Sequence, residues 1–171
     1  MTRYVAFLRG VSPMNCKMPD LKQCFESAGF AEVKTLLSSG NVAFSSDPEI
    51  VPVLERAAEQ AMERHLGRAF QAIVRPSSFL QTLVEQAPFG KLELPREAKP
   101  VITFLREPCE KKIELPIEQD QAFILRLERT EVFSAYIPNE KGPVFMALLE
   151  RTFGKEITTR TLETVRKCSL A

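Results

Sequence analysis

The sequence predicts an α+β fold built from two βαββαβ-type halves with antiparallel sheets, the second half incomplete. Three observations carry that prediction. Short apolar strand patterns alternate with helical stripes of period 3.6, and twice a pair of strands flanks a tight turn. The order strand, helix, strand, strand, helix, strand fills the first half, and a weaker version of it follows. The 171 residues are 44% apolar and 26% charged, enough for a core without staples and too ordered a mixture for a disordered chain.

Arg3 to Arg9 is β-branched, aromatic and nearly continuously apolar, as a central strand should be. Gly10 to Lys17 is a loop. A helix is expected over Pro19–Ala28, with Pro19 and Asp20 in its first turn and Leu21, Cys24, Phe25 and Ala28 on one stripe. Gly29 ends it. Val33–Leu37 and Val42–Ser46 read as strands around Ser38-Ser39-Gly40-Asn41, a hairpin. A long helix starts between Pro48 and Pro52 and runs to Leu66, with Ile50, Leu54, Ala57, Ala58, Ala61 and Met62 inward and Gly67 as the stop. Phe70–Arg75 is a strand. Ser77 is placed as the cap of a helix carrying Phe79, Leu80, Leu83, Val84 and Ala87.

Pro88 to Pro100 has the composition of a connection. Beyond it, Val101–Arg106 is a strand and Pro108–Leu115 a short helix; Ala122–Glu128 and Val132–Ile137 form a hairpin around Arg129-Thr130. Pro143–Phe153 is a helix stopped by Gly154. The sequence shows no final strand, and Thr159–Cys168 reads as a short C-terminal helix with Leu162 and Val165 inward. The expected organisation is therefore a ferredoxin-like half with an added helix over 1–88, and a second over 89–171 ending in that helix.

Charge and motifs exclude more than they assign. The chain carries 23 basic and 22 acidic residues, and each half is balanced separately: 9 and 9 over 1–88, 14 and 13 over 89–171. No basic face draws nucleic acid, and Val42-Ala43-Phe44-Ser45 lacks the aromatic and basic pattern of an RNA-reading sheet. The apolar runs are too short for a membrane span or a secretory leader. Cys16, Cys24, Cys109 and Cys168 are scattered without metal or redox spacing, which fits a reducing cytoplasm. One histidine, His65, leaves no multi-histidine metal site, and no nucleotide-binding or hydrolase motif is present. No cofactor or metal is expected. Glu93, Glu97, Glu107, Glu110, Glu114 and Glu118 alternate with lysines as a solvated rim.

The topology points to one end of the first half. In a βαββαβ unit the loop after the first strand and the hairpin turn share an end of the sheet. That end gathers Arg9, Asn15, Cys16 and Lys17 with Ser38, Ser39 and Asn41, joined by His65 and Arg68. Cations and small polar groups at a helix start are suited to an anion. Each residue also has an ordinary reading: Ser38–Asn41 as a tight turn, Lys17 and Asp20 as solvated helix-start residues, His65 as a helix-end residue. Cys16 beside Lys17 is a candidate for a depressed thiol pKa, against the commoner inert loop cysteine.

Arg9-Gly10-Val11, Asn15-Cys16-Lys17-Met18-Pro19-Asp20-Leu21, Ala28-Gly29-Phe30, Val33-Lys34-Thr35 and Ser39-Gly40-Asn41-Val42-Ala43-Phe44 form a connected set. With them the chain resembles, over nearly its whole length, the bacterial family catalogued as domain of unknown function 1697. The resemblance implies a compact α+β protein of ferredoxin-like halves, and no activity. Two departures stand out. Where the family's first loop is glycine-rich, this chain has Ser12-Pro13-Met14, and Thr161-Leu162-Glu163 replaces the family's Asn-Trp-Asn near the C-terminus.

The leading expectation is a cytoplasmic protein that binds a small anionic or polar ligand at that loop end. Arg9 and Lys17 would supply charge and Asn15, Ser39 and Asn41 orientation, with Arg160 closing from the C-terminal helix. The alternative is an interaction module without a small-molecule site, pairing as a homodimer through a sheet face or edge.

Overall fold

The computed structural model describes residues 1–86, 88–91, 94–138 and 144–171. Ala87, Glu93 and Pro143, which the sequence placed on a helix stripe, in the charged rim and at a helix start, lie outside the described residues. The chain divides into two compact units, 1–83 with 166–171, and 84–165.

The first unit contains β1 (Thr2–Leu8), α1 (Met18–Ser27), β2 (Ala31–Leu36), β3 (Asn41–Ser46), α2 (Val51–Leu66) and β4 (Ala72–Pro76), followed by the start of α3 (Ser77–Glu85). Its sheet order is β2-β3-β1-β4, with β1 antiparallel to both neighbours: Ala6 lies opposite Val42 on one side and Val74 on the other. This is the ferredoxin-like arrangement. Tyr4, Ala6 and Leu8 alternate along β1 toward one face and meet Leu21 and Phe25 of α1 and Leu54, Ala58 and Met62 of α2. Phe44 sits among Tyr4, Phe25 and Phe30, with ring centroids 5.7, 5.6 and 4.3 Å away. Gly67 stops α2 in the left-handed conformation at φ 73°, its N–H donating to Glu63 O.

Three expectations on this unit change. Ile50 is the residue before α2, its backbone extended, and is 63% exposed instead of inward. Phe79 is 40% exposed on the outer side of α3. Ser77 opens α3 as its first residue, and its buried hydroxyl has no hydrogen-bond partner among the described residues, so it is not a cap. One buried acidic side chain was not foreseen. Glu55 on α2 accepts the N–H of Val74 at 3.0 Å, and Glu59, one turn on, accepts that of Ala72 at 3.1 Å. The two carboxylates occupy the outer edge of β4.

The second unit contains β5 (Lys99–Leu105), β6 (Ile117–Gln119), β7 (Ala122–Glu128), β8 (Glu131–Tyr136), α4 (Val144–Phe153) and β9 (Ile157–Thr161), and the first turn of α5 (Leu162–Ser169). Within this unit a 3₁₀ turn at Pro88–Lys91 precedes β5. The antiparallel sheet runs β6-β7-β8-β5-β9. Without β6 this is the order of the first sheet again. The half is incomplete, but the missing element differs from the expected one. The final strand is present as β9, and the helix expected over Pro108–Leu115 is absent: residues 106–116 are irregular and lead into β6. That stretch offers seven residues between two prolines, with no apolar stripe to hold them against a sheet. The core joins Val101 and Leu105 of β5, Ile124 of β7, Val132 of β8 and Ile157 of β9 to Phe145, Leu148 and Leu149 of α4.

Candidate functional site

The loop between β1 and α1 is stapled by one side chain. Asn15 Oδ1 accepts the N–H of Ser12 at 2.9 Å, and its Nδ2 donates to Gly10 O at 2.8 Å. Lys17 then occupies the N-cap of α1, where its side chain makes no capping bond and stays exposed. Arg68, just past the left-handed Gly67, lies over the Phe70 ring with Cζ 4.5 Å from the centroid. Asn15, Cys16, Lys17 and Asp20 from one side and Leu66 and Arg68 from the other border a cleft of about 270 Å³. Its charged lining residues are two cations and one carboxylate, beside the positive end of α1.

Cys16 forms part of that lining but is 6% exposed. Burial raises its thiol pKa, and the Asp20 carboxylate raises it further; the Arg68 guanidinium pulls the other way with less effect. The depressed pKa considered for this thiol is therefore reversed: desolvation outweighs the neighbouring cation.

The hairpin residues lie at the same end of the sheet but serve the turn. Asn41 is fully buried, with Nδ2 donating to Leu36 O at 3.1 Å and to Ser39 Oγ at 3.0 Å. Gly40 O accepts the N–H of Leu8 at 2.8 Å, tying the turn to the end of β1. Arg9 is half-buried, its N–H donating to Gln71 O at 3.0 Å, and it does not border the cleft. Of the residues the sequence gathers at this end, Asn15, Cys16, Lys17 and Arg68 border the cleft, and Arg9, Ser39 and Asn41 do not. Arg160 belongs to the second unit and lies on β9, not on the C-terminal helix. Its Nη1 donates to Thr158 Oγ1 at 2.8 Å and to Thr159 O at 2.9 Å.

Described residues of the second unit border further clefts. One, of about 390 Å³, lies at the start of α4 and is bordered by Val101, Tyr136, Phe145, Met146 and Thr161. The Tyr136 and Phe145 rings stack there at 4.8 Å, 11° from parallel. The other, of about 530 Å³, is bordered by Glu107, Cys109, Glu110, Lys111, Phe153 and Glu156. Neither was foreseen. Val101 and Tyr136 fall in segments the sequence assigns to strands and Phe145 in one it assigns to a helix, which gives no sign of a cleft. Among the described residues, no group of three or more His, Cys, Asp or Glu side chains is placed to hold a metal ion. No helix of the described residues is long and apolar enough to cross a membrane.

The family model for "Protein of unknown function (DUF1697)" matches residues 1–133, more than half of the chain. The chain belongs to the DUF1697 family. It is also similar in structure to the conserved bacterial protein SP0830 from Streptococcus pneumoniae. The match has a TM-score of 0.74 at 20% identity and covers 99% of this chain and 97% of that one. At that identity the likeness concerns the fold. No curated protein matches.

Proposed function

We propose that this DUF1697 protein is a cytoplasmic binder of a small anion at the loop end of its first unit. The observation that carries the reading is the pairing of Lys17 and Arg68 across one cleft at the N-terminus of α1. A helix start and two cations favour an anion electrostatically, and about 270 Å³ suits a compact one. Arg68 is held by the Phe70 face, so its guanidinium is partly oriented before any ligand arrives. Asn15 holds the loop in shape, while Ser39 and Asn41 stabilise the neighbouring turn.

The homodimer reading draws less support from the first sheet. Its β4 edge is occupied by Glu55 and Glu59 carboxylates. The other edge strand, β2, carries a register shift between Ala31 and Lys34, and Glu32 O accepts from Arg3 Nη1 at 2.7 Å. Such edges resist pairing with a second copy.

Calorimetric melting with inorganic phosphate and with citrate tests the proposal. A ligand at a hundred times its Kd stabilises by about 2.7 kcal/mol, a shift of several degrees. The shift should vanish in Lys17→Ala and Arg68→Ala and shrink at high salt. No shift, or the same shift in both variants, overturns the reading.

A further inference from the structure

The cleft at the start of α1 carries one charge of the wrong sign for a plain anion. Asp20 borders it together with Lys17 and Arg68. Asp20 is the third residue of α1, a position from which a carboxylate can turn back to the N–H of the N-cap residue. Among the described residues its carboxylate makes no such bond, and Lys17, Asp20 and Arg68 form no ion pair with one another. Arg68 is instead engaged by the Phe70 ring. Opposite charges from two sides of one small cleft are thus left without contact.

The carboxylate is directed into the cleft. Cys16, the buried part of the lining, feels both Asp20 and Arg68, and the carboxylate acts on its thiol more strongly than the guanidinium does. The lining therefore has two cations, one anion and an apolar border made by Met14 and Leu66. Its complement has two negative charges and one positive charge on a short carbon chain. A phosphate monoester carries nearly two negative charges at neutral pH, and an ammonium group supplies the positive one. About 270 Å³ holds such a molecule of a few carbons.

We propose that the ligand of this cleft is an aminoalkyl phosphate, a phosphate monoester whose short carbon chain ends in an ammonium group. The inference rests on the anion reading of the cleft and adds to it the role of Asp20. The phosphate lies between Lys17 and Arg68, the ammonium meets Asp20, and the chain lies against Leu66 and Met14. A plain anion at the same place meets the Asp20 carboxylate unrelieved, so Asp20 discriminates between the two.

Amide NMR titration of the full chain at low salt tests this, with O-phosphoethanolamine and with ethyl phosphate, which lacks only the amine. O-phosphoethanolamine should bind about three- to fivefold more tightly, the scale of one exposed ion pair. Asp20 is exposed, so Asp20→Asn should keep the fold. That variant should lose the preference and bind ethyl phosphate more tightly than the parent protein, a gain that damage to the fold would not produce. Lys17→Ala and Arg68→Ala should weaken both esters. Equal binding of the two esters, or a preference that survives Asp20→Asn, overturns this inference and leaves the anion reading in place. So does failure of both esters where phosphate or citrate still raises the thermal midpoint. Failure of all four ligands overturns the two together.

Discussion

The first unit covers one face of its sheet with two helices, and the second covers the equivalent face with one. In the first, α2 packs on β4 and on α1, so that the core from Tyr4 to Val74 is enclosed. In the second, α4 packs toward β7 at the opposite side of the sheet, leaving Val101, Thr159 and Thr161 to border a cleft. The strand frameworks nevertheless agree in detail. Leu8 N–H donates to Gly40 O and Leu105 N–H to Thr130 O, both at 2.8 Å. Arg9 N–H donates to Gln71 O and Arg106 N–H to Glu156 O, at 3.0 and 3.2 Å. One framework with a helix removed thus exchanges enclosed core for open, ligand-sized space.

Core truncation is the strongest way to break this comparison. Phe44 is fully buried among three other rings, so Phe44→Ala should cost about 3–5 kcal/mol in denaturant unfolding. Phe145 borders the cleft and is 8% exposed. Truncating it enlarges a space already open to solvent, and Phe145→Ala should cost about 2 kcal/mol, mostly lost transfer energy. Equal losses would mean that the second core is as enclosed as the first.

The β4 edge gives the next effect. Glu55→Ala leaves the Val74 N–H buried without its acceptor and should cost about 1–3 kcal/mol. Glu55→Gln keeps an acceptor oxygen and should lose less. Hydrogen exchange at the Val74 amide reads this directly: it should accelerate in the alanine variant and much less in the glutamine one. Unchanged exchange in both would remove the carboxylate from the account of that edge.

These differences were unequally legible in the sequence. The first unit declared itself because its stripes are long: Leu21, Cys24 and Phe25, then Leu54, Ala58, Ala61 and Met62, all buried. The strand β9 did not, because Ile157-Thr158-Thr159-Arg160-Thr161 carries one large apolar residue and its other inward groups are threonines. A short edge strand needs little apolar content, so pattern alone reads it as loop or helix end. The anion cleft was half visible. Asn15, Cys16 and Lys17 are contiguous, and the exit of the long helix at that end of the sheet already placed Arg68 beside them; Arg9, Ser39, Asn41 and Arg160, expected with them, do not border the cleft. Nothing local in the sequence shows that Glu55 faces a strand edge.

A smaller effect belongs to pH. The thiols of Cys16 and Cys24 in the first unit are both raised above their ordinary value of 9.0, chiefly by burial. The folded state therefore holds these protons where the unfolded chain has released them. Stability should be unaffected below about pH 8 and fall as pH rises through the window above 9.0. Thermal midpoints from pH 8 to 10 check this, and Cys16→Ala should flatten the decline. A midpoint that rises over that range reverses the sign and excludes buried protonated thiols.

The least effect, and the finest test of the shared framework, lies in the two hairpin turns. In the first unit the turn ends in Gly40 at φ 82°, where a Cβ would come within 2.9 Å of the Val11 Cβ and 3.1 Å of Leu8. Glycine there is required by both space and backbone. The second hairpin places Arg129 at φ 54°, exposed, with no glycine in the turn. A non-glycine residue in the left-handed region carries strain of about 1–2 kcal/mol, and glycine relieves it while adding freedom to the unfolded chain. The two contributions oppose, so Arg129→Gly should stabilise by about 0.5 kcal/mol, readable as a small rise in the denaturant midpoint with unchanged slope. A loss of stability would show that the second turn is held by the arginine side chain. The correspondence between the hairpins would then stop at the backbone bonds that Leu8 and Leu105 make to them.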